Sequence, residues 1–525
     1  MVFNKFFMAK VQFIPGTSND SLLIPPNVGD FIPEDSPVRL VNSVLDMVDI
    51  SDIVRSYRNI TDGRPAYNPR MLLKIVVYGY FNNIFSSRDL ESVLRRDAHM
   101  IWLSGYQFPD HTTINRFRVR FEPFIKKTFS SLGRILAERG EIAFDEELYV
   151  DGTTIRSRAA RRSIKWRHAA ENFSAMAEES IQKSIDRMLE QIDESVRNEL
   201  VEEGQVSYTA EEARELAEEV EKRMKEEDRK KVRSSIKAVR EACDRKEKHD
   251  KTLEQCHGRC GIAPSDPECG IMHAKEDGYQ AKPTPNYNVQ AATQNQYVLN
   301  YGVYDTSADK KTAIDFFNTC IAENGEMPQA IVADGGYGCE ELYVTLERMG
   351  IEAVIKYNNF DRDILRSLVN NGDFDKRNFR LTASQDNLIC PAGHEMIIVG
   401  VEKSHTESGF PVDRTKFTCT HCKDCPFKDK CYVTTNKDNI TTHNIRGLIE
   451  EDKARKRLML PENQARLRRR NLEPEAVFGQ MKHNRGYKQF RHFGKAKVTT
   501  DLGFMFMALN LRKLYRNTEK MSKKG

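Results

Sequence analysis

Leu148-Tyr149-Val150-Asp151-Gly152-Thr153-Thr154-Ile155 decides how this chain is read. Apolar and β-branched residues surround one carboxylate, so the stretch predicts a short buried strand with an acid set into it. A buried carboxylate is costly unless it is paired or holds a metal ion. Taken alone, Asp151 reads as a strand-end Asp bonded to the following turn. A second stretch changes that reading. Ala330-Ile331-Val332-Ala333-Asp334-Gly335-Gly336-Tyr337-Gly338 is another apolar strand that ends in an Asp.

The residues between and after these stretches give the layer. Asn286–Thr293 and Tyr297–Tyr304, separated by Gln294-Asn295-Gln296, predict an antiparallel hairpin. Asp309 to Asn324 and Glu340 to Met349 predict helices, and Ala353 to Tyr357 a strand. Helices alternating with the later strands predict an α/β layer with a mixed sheet. In such sheets ligands gather at the carboxyl ends of strands. Asp334 sits at such an end, and Asp151 reaches the same edge if its strand is central.

Outside this layer the chain changes character. Residues 1–37 hold Pro15, Pro25, Pro26, Pro33 and Pro37 and read as an N-terminal arm. Residues 38–140 are helical in pattern, with Pro69 at a helix start and an apolar face through Met71, Leu72, Ile75 and Val76. A helix starting at Asp110 or Thr112 carries the stripe Ile114, Phe117 and Phe121, with Arg116, Arg118 and Arg120 largely off it. Helices, a turn and a basic helix resemble a helix-turn-helix DNA-binding module, a signal that a plain helical bundle also gives. Residues 160–255 predict an inserted helical hairpin of coiled-coil character, broken at Gly204 and restarted by a Thr209/Glu212 capping box. Its expected role is a spacer or dimer surface. Cys256, Cys260 and Cys269 fall in a stretch, 256–283, that reads as loop.

Residues 358–447 form a cysteine-rich insertion. Cys419-x2-Cys422-x2-Cys425-x5-Cys431, with Cys390 and His394 upstream and His421 between, predicts a structural Zn²⁺ site of the ribbon kind. Five cysteines exceed four ligands. Cys390, Cys422, Cys425 and Cys431, or a set using Cys419, both satisfy the pattern.

Among the 525 residues no run of 18 apolar ones occurs, and no signal-peptide pattern opens the sequence. A cytoplasmic protein with no membrane partner is expected. The net charge of +4 hides an asymmetry: from Lys453 to Gly525 there are 20 Lys and Arg against 5 Asp and Glu. A basic block on an otherwise acidic chain points to a polyanion, most simply nucleic acid. Within it Arg468, Glu475 and Lys482 recur every seven residues, so one continuous helix would show them on one face. Pro474 should kink that helix or start a fresh one.

Asp151 in Val150-Asp151-Gly152-Thr153, Asp334 in Val332-Ala333-Asp334-Gly335-Gly336-Tyr337, and Glu475-Ala476-Val477-Phe478-Gly479-Gln480-Met481-Lys482-His483-Asn484-Arg485-Gly486-Tyr487 together resemble the DDE transposases of bacterial insertion sequences, of the IS1182 type related to the IS4 and IS5 groups. Asn68-Pro69-Arg70-Met71-Leu72-Leu73-Lys74 and Pro109–Phe117 resemble the N-terminal domain of the same transposases, and the two insertions are similar to theirs. The resemblance implies an RNase H-like catalytic core made of residues 141–159, 284–357 and 448–516, followed by a basic tail, 517–525. It implies Asp151, Asp334 and Glu475 as ligands of two divalent cations, Mg²⁺ or Mn²⁺. Glu473 is the fallback for the third, because residues two apart on a helix point about 200° apart. It also implies that Lys482, Arg468, Arg470 and Arg485 hold phosphates. The expected partner is double-stranded DNA, as terminal inverted repeats and as target, bound by a homodimer on the bacterial nucleoid. Two other readings compete: a related metal-dependent nuclease that cuts without joining, and a non-catalytic DNA-binding protein.

Overall fold

The computed structural model describes residues 27–57, 65–200, 207–224, 226–274, 282–368, 378–406, 408–428, 431 and 440–523. Its centre is strand β1, Leu148–Arg156, buried from Leu148 to Ile155. Burial on both faces explains why its sequence is apolar without a clear alternation. Five further strands join it: β2 (Gly270–Met272), β3 (Thr284–Gln294), β4 (Tyr297–Tyr304), β5 (Ala330–Ala333) and β6 (Glu352–Ile355). β3 lies antiparallel beside β1, and β5 lies parallel on its other side, followed by parallel β6. β4 and the short β2 pair with the outer edge of β3. The sheet is mixed, as the element order predicts, and β1 is central. β2 was not expected. Three residues beginning with a glycine carry too little strand signal to stand out from a loop.

The helices at the two ends of the chain share one core with this sheet. The last helix, Lys495–Ser522, is buried on all sides from Leu502 to Ala508. Such a helix lies inside a protein rather than on it. It packs on Pro69–Phe81, Ile125–Glu138 and β4. Asn510 on this helix accepts from Val298 N and donates to Val298 O, both at 2.8 Å, pairing backbone groups beside the β3–β4 bulge. Asp501 accepts from the hydroxyls of Tyr80 and Tyr487. Of the basic tail expected at 517–525, residues 517–522 are the end of this helix.

The first insertion is a helical bundle. Arg167–Glu190 and Glu226–Cys256 run antiparallel, with Ser174 facing Asp250, Glu178 facing Lys246 and Gln191 facing Ser235. Ala210–Arg223 packs beside them and begins at the predicted Thr209/Glu212 capping box. The apolar series from Ile181 to Leu200 is split, because the helix stops at Glu190 and resumes at Glu194. The expected break at Gly204 lies outside the described residues. The second insertion holds an antiparallel pair, Ile397–His405 with Pro411–Thr418, and a third strand, Thr441–His443. No helix among the described residues is long and apolar enough to cross a membrane.

Candidate active site

β1 and β5 set the first two acids. Leu148 lies opposite Ile331 and Tyr149 opposite Val332. Continuing that register brings Asp151 level with Asp334, the first residue beyond β5. Asp151 is 7% exposed, and its Oδ1 accepts from Gly152 N at 2.9 Å. Asp334 Oδ1 accepts from Gly336 N at 2.9 Å, an Asx turn that ends the strand.

The third acid stands on a broken helix. Pro461–Arg470 ends and a new helix, Pro474–Gly479, begins at the proline. Arg468, Glu475 and Lys482 therefore do not share the face of one continuous helix, because Pro474 cannot extend the preceding one. What joins Glu475 to the sheet is Arg470. Its Nη2 is 3.3 Å from Glu475 Oε1, and its Nη1 is 3.8 Å from Asp151 Oδ2. That Nη1 is buried without a hydrogen-bond acceptor. Glu475 itself is exposed. Glu473 faces elsewhere: it is buried and accepts from Gln296 N at 2.6 Å and from Arg469 Nε at 3.3 Å. Burial raises its carboxyl above the ordinary range, and the Gln296 and Arg469 contacts oppose that rise. A π-helical turn, Gln480–Asn484, follows the second helix.

The basic residues divide into two groups. Arg116, Arg120 and Arg468 are exposed, and Arg120 lies 4.4 Å from the Tyr57 ring centre. Arg118, Lys482 and Arg485 are buried. Arg118 donates to Phe85 O at 2.9 Å and lies over the Tyr80 ring. Its position four residues after Ile114 returns it to the buried stripe, so it is not off that stripe as expected. Lys482 donates to Thr154 O on β1 at 2.7 Å. Arg485 and Arg512 both donate to Phe81 O, at 3.2 and 2.7 Å, where the Pro69–Phe81 helix ends. Carbonyls at a helix end favour such cations. Burial and the neighbouring Arg512 and Arg516 lower Arg485 to about 10.

A further carboxylate, Asp309, stands at the start of the Asp309–Asn324 helix and accepts from Asn288 Nδ2 and Gln290 Nε2, at 2.9 and 2.8 Å. Sequence reading missed it as a site residue. The available signal was a polar series, Asn286, Asn288 and Gln290, at period two within a buried strand. Tyr337 donates to Gln290 Oε1. Its phenol is held well above the usual range, first by burial, then by the charges of Asp309, Asp151 and Asp334, with Arg470 opposing. Three carboxylates thus act on one ring.

Among the described residues no three His, Cys, Asp or Glu side chains are already gathered as a finished metal cage. The donor chemistry nonetheless fits a hard cation. Asp151, Asp334 and Glu475 offer carboxylate oxygens, and Arg470 now fills the space between two of them with positive charge. In the second insertion Cys390, Cys419, Cys422, Cys425 and Cys431 line one cavity with His394 and His421. The two imidazole rings stack at 4.5 Å. Burial, then the sulfurs of Cys419, Cys431 and Cys390, push the Cys422 thiol up to about 12.

Two families match this chain. A Transposase DDE domain family matches residues 389–515, and a transposase domain family (DUF772) matches residues 26–120. The first match contains Glu475, whereas Asp151 and Asp334 lie between the two. No curated protein and no solved structure matches the chain. A Transposase DDE domain match, a second transposase-domain match and a mixed α/β sheet together indicate a DDE transposase.

Proposed function

We propose that this transposase binds the terminal inverted repeats of its element, cuts at the element ends and transfers the 3′-OH ends to target DNA, with Asp151, Asp334 and Glu475 holding two divalent cations, Mg²⁺ or Mn²⁺. The observation that best supports this reading is the level placement of Asp151 and Asp334 on adjacent strands, with Glu475 linked to Asp151 through Arg470. When bound, such cations activate the attacking water or 3′-hydroxyl and stabilise the leaving oxygen. Arg470, released from its carboxylates, would take a phosphate oxygen with a charge-assisted hydrogen bond. The exposed Arg116, Arg120 and Arg468 would hold duplex phosphates and fix register without reading sequence. One copy per element end makes a dimer in the DNA complex.

The test is incubation with Mg²⁺, a pre-cleaved terminal repeat and a plasmid. Joined products are expected, and Asp151→Asn, Asp334→Asn and Glu475→Gln should each abolish them. Nicked plasmid without joining would show a nuclease instead. Joining that survives all three substitutions would remove the carboxylates from the mechanism.

We also propose that Cys390, Cys419, Cys422 and Cys431 hold a structural Zn²⁺. The shared cavity and the mutual effect of these sulfurs support that set. Metal analysis of the purified chain should find zinc, and Cys422→Ser should lose it. A wild-type chain without zinc sinks the proposal.

A further inference from the structure

Asp309 is the first residue of the Asp309–Asn324 helix, and two side chains of β3 hold its carboxylate. Asn288 and Gln290 are two apart on β3 and so share one face of the sheet. Both donate to Asp309 Oδ1. Gln290 lies opposite Gly152 in the β1–β3 register, which sets Asp309 against the residue that follows Asp151. A Cβ at Gly152 would fall 2.5 Å from Gln290 Nε2 and 2.7 Å from Asp309 Oδ1, so only glycine leaves room for this arrangement. On the other side, a Cβ at Gly336 would fall 3.0 Å from Asp334 Oδ1 and 3.2 Å from Asp309 Oδ2. One small space is therefore flanked by an oxygen from each carboxylate.

The two oxygens of Asp309 have different surroundings. Oδ1 is committed to two amides, whereas Oδ2 is turned towards Asp334. Among the described residues neither Asp309 nor Asp334 forms an ion pair. Adjacent carboxylates without a cation repel, and amide donors offset only part of that cost. The amides do, however, hold Asp309 in one orientation, as outer partners do for metal-binding carboxylates.

We propose that Asp309 is a fourth carboxylate of the catalytic centre, giving its Oδ2 to the divalent cation held by Asp334. The proposal rests on the assignment of Asp151, Asp334 and Glu475 as the metal-binding set. Asn288, Gln290 and Gly152 then act as positioning residues: two hold Asp309, and the third makes room for it.

The test is Mn²⁺ binding to the full chain, read from the electron paramagnetic resonance of free Mn²⁺, without DNA. Asp309→Asn is expected to weaken Mn²⁺ binding roughly tenfold or more. Asp315→Asn, exposed on the same helix, should leave it unchanged. Asp151→Asn and Asp334→Asn report separately on the underlying site. If those two lose Mn²⁺ while Asp309→Asn binds as wild type, the fourth carboxylate is overturned and the three-acid site stands. If none of the three alters binding, both ideas fall. Asp309→Ser, smaller and also neutral, makes the same comparison should the Asn variant fail to fold.

Discussion

Asp151 and Asp334 stand level on neighbouring parallel strands, one within its strand and the other a residue past the end of its own. Like charges so placed raise the energy of the metal-free protein. Asp334→Asn should therefore stabilise the chain in EDTA by about 1 kcal/mol, the scale of one Coulomb pair in a wet site. The same substitution should remove the rise in melting temperature that Mg²⁺ gives the wild type. Thermal melts with and without Mg²⁺ check both. A variant that keeps the Mg²⁺ shift would detach Asp334 from the metal.

Arg470 lies within ion-pair distance of Asp151 and Glu475, so in the proposed site it would compete with a cation for them. Arg470→Ala should tighten Mn²⁺ binding several-fold while lowering strand joining, because the charge is gone from both the carboxylates and the phosphate. Titration and a joining assay on one preparation would separate the effects. Weaker Mn²⁺ binding would show Arg470 to be a support for the site rather than a rival.

Glu473 and Glu475 make opposite predictions. Glu475 is exposed, so Glu475→Gln should change stability by less than about 0.5 kcal/mol and abolish joining. Glu473 satisfies a backbone N–H while buried, so Glu473→Ala should cost about 1–3 kcal/mol. Urea melts beside the joining assay decide. Equal stability losses would erase the distinction.

The basic helix His111–Arg120 should divide in the same manner. Arg116→Ala is expected to weaken DNA binding across sequences and to lower the slope of affinity against salt by about one unit. Arg118→Ala should cost roughly 1–3 kcal/mol of stability and leave that slope unchanged, because its guanidinium is buried against Phe85 O. Binding isotherms at several salt concentrations distinguish the two.

Glu451 makes stability depend on pH. Burial, helped by the Asp363 charge, raises its carboxyl to about 7 from an ordinary 4.5. The folded state then holds the proton more tightly than the unfolded chain. Stability should fall as pH rises from about 4.5 to about 7, with the full cost present above that range. Glu451→Gln should stabilise the chain at pH 8 by up to about 3 kcal/mol and change little at pH 4. Equal effects at both pH values would mean that Glu451 ionises freely.

The core sheet is legible in the sequence because each of its long strands carries a dense apolar or β-branched run, and each crossing helix has its own face. Asp151 and Asp334 are legible for the same reason: an acid inside such a run is conspicuous. The neighbours of the third acid are not. Spacing by seven suggests one helix face, but Pro474 divides the helix, and the link runs instead through Arg470. Basic character does not reveal burial. Arg118, Lys482 and Arg485 read from sequence as DNA-binding residues, and strand and helix packing, which spacing does not show, buries them and lets them donate to Phe85 O, Thr154 O and Phe81 O. Asp309 is hidden because its meaning comes from Asn288 and Gln290, which only strand pairing brings to it.

The buried last helix has a consequence for how the protein is made. Val38, Phe121, Tyr301 and Leu514 belong to a single apolar core. Domains of many long chains fold in turn as they leave the ribosome. Here the N-terminal helices must wait for residues near the end of the chain to cover their inner faces. The newly made protein therefore completes its N-terminal helices and its central sheet together, only once the Lys495–Ser522 helix has been made. A chain cut short before Lys495 should be neither a free DNA-binding repressor nor a partial enzyme, but an unfinished core for proteases to remove.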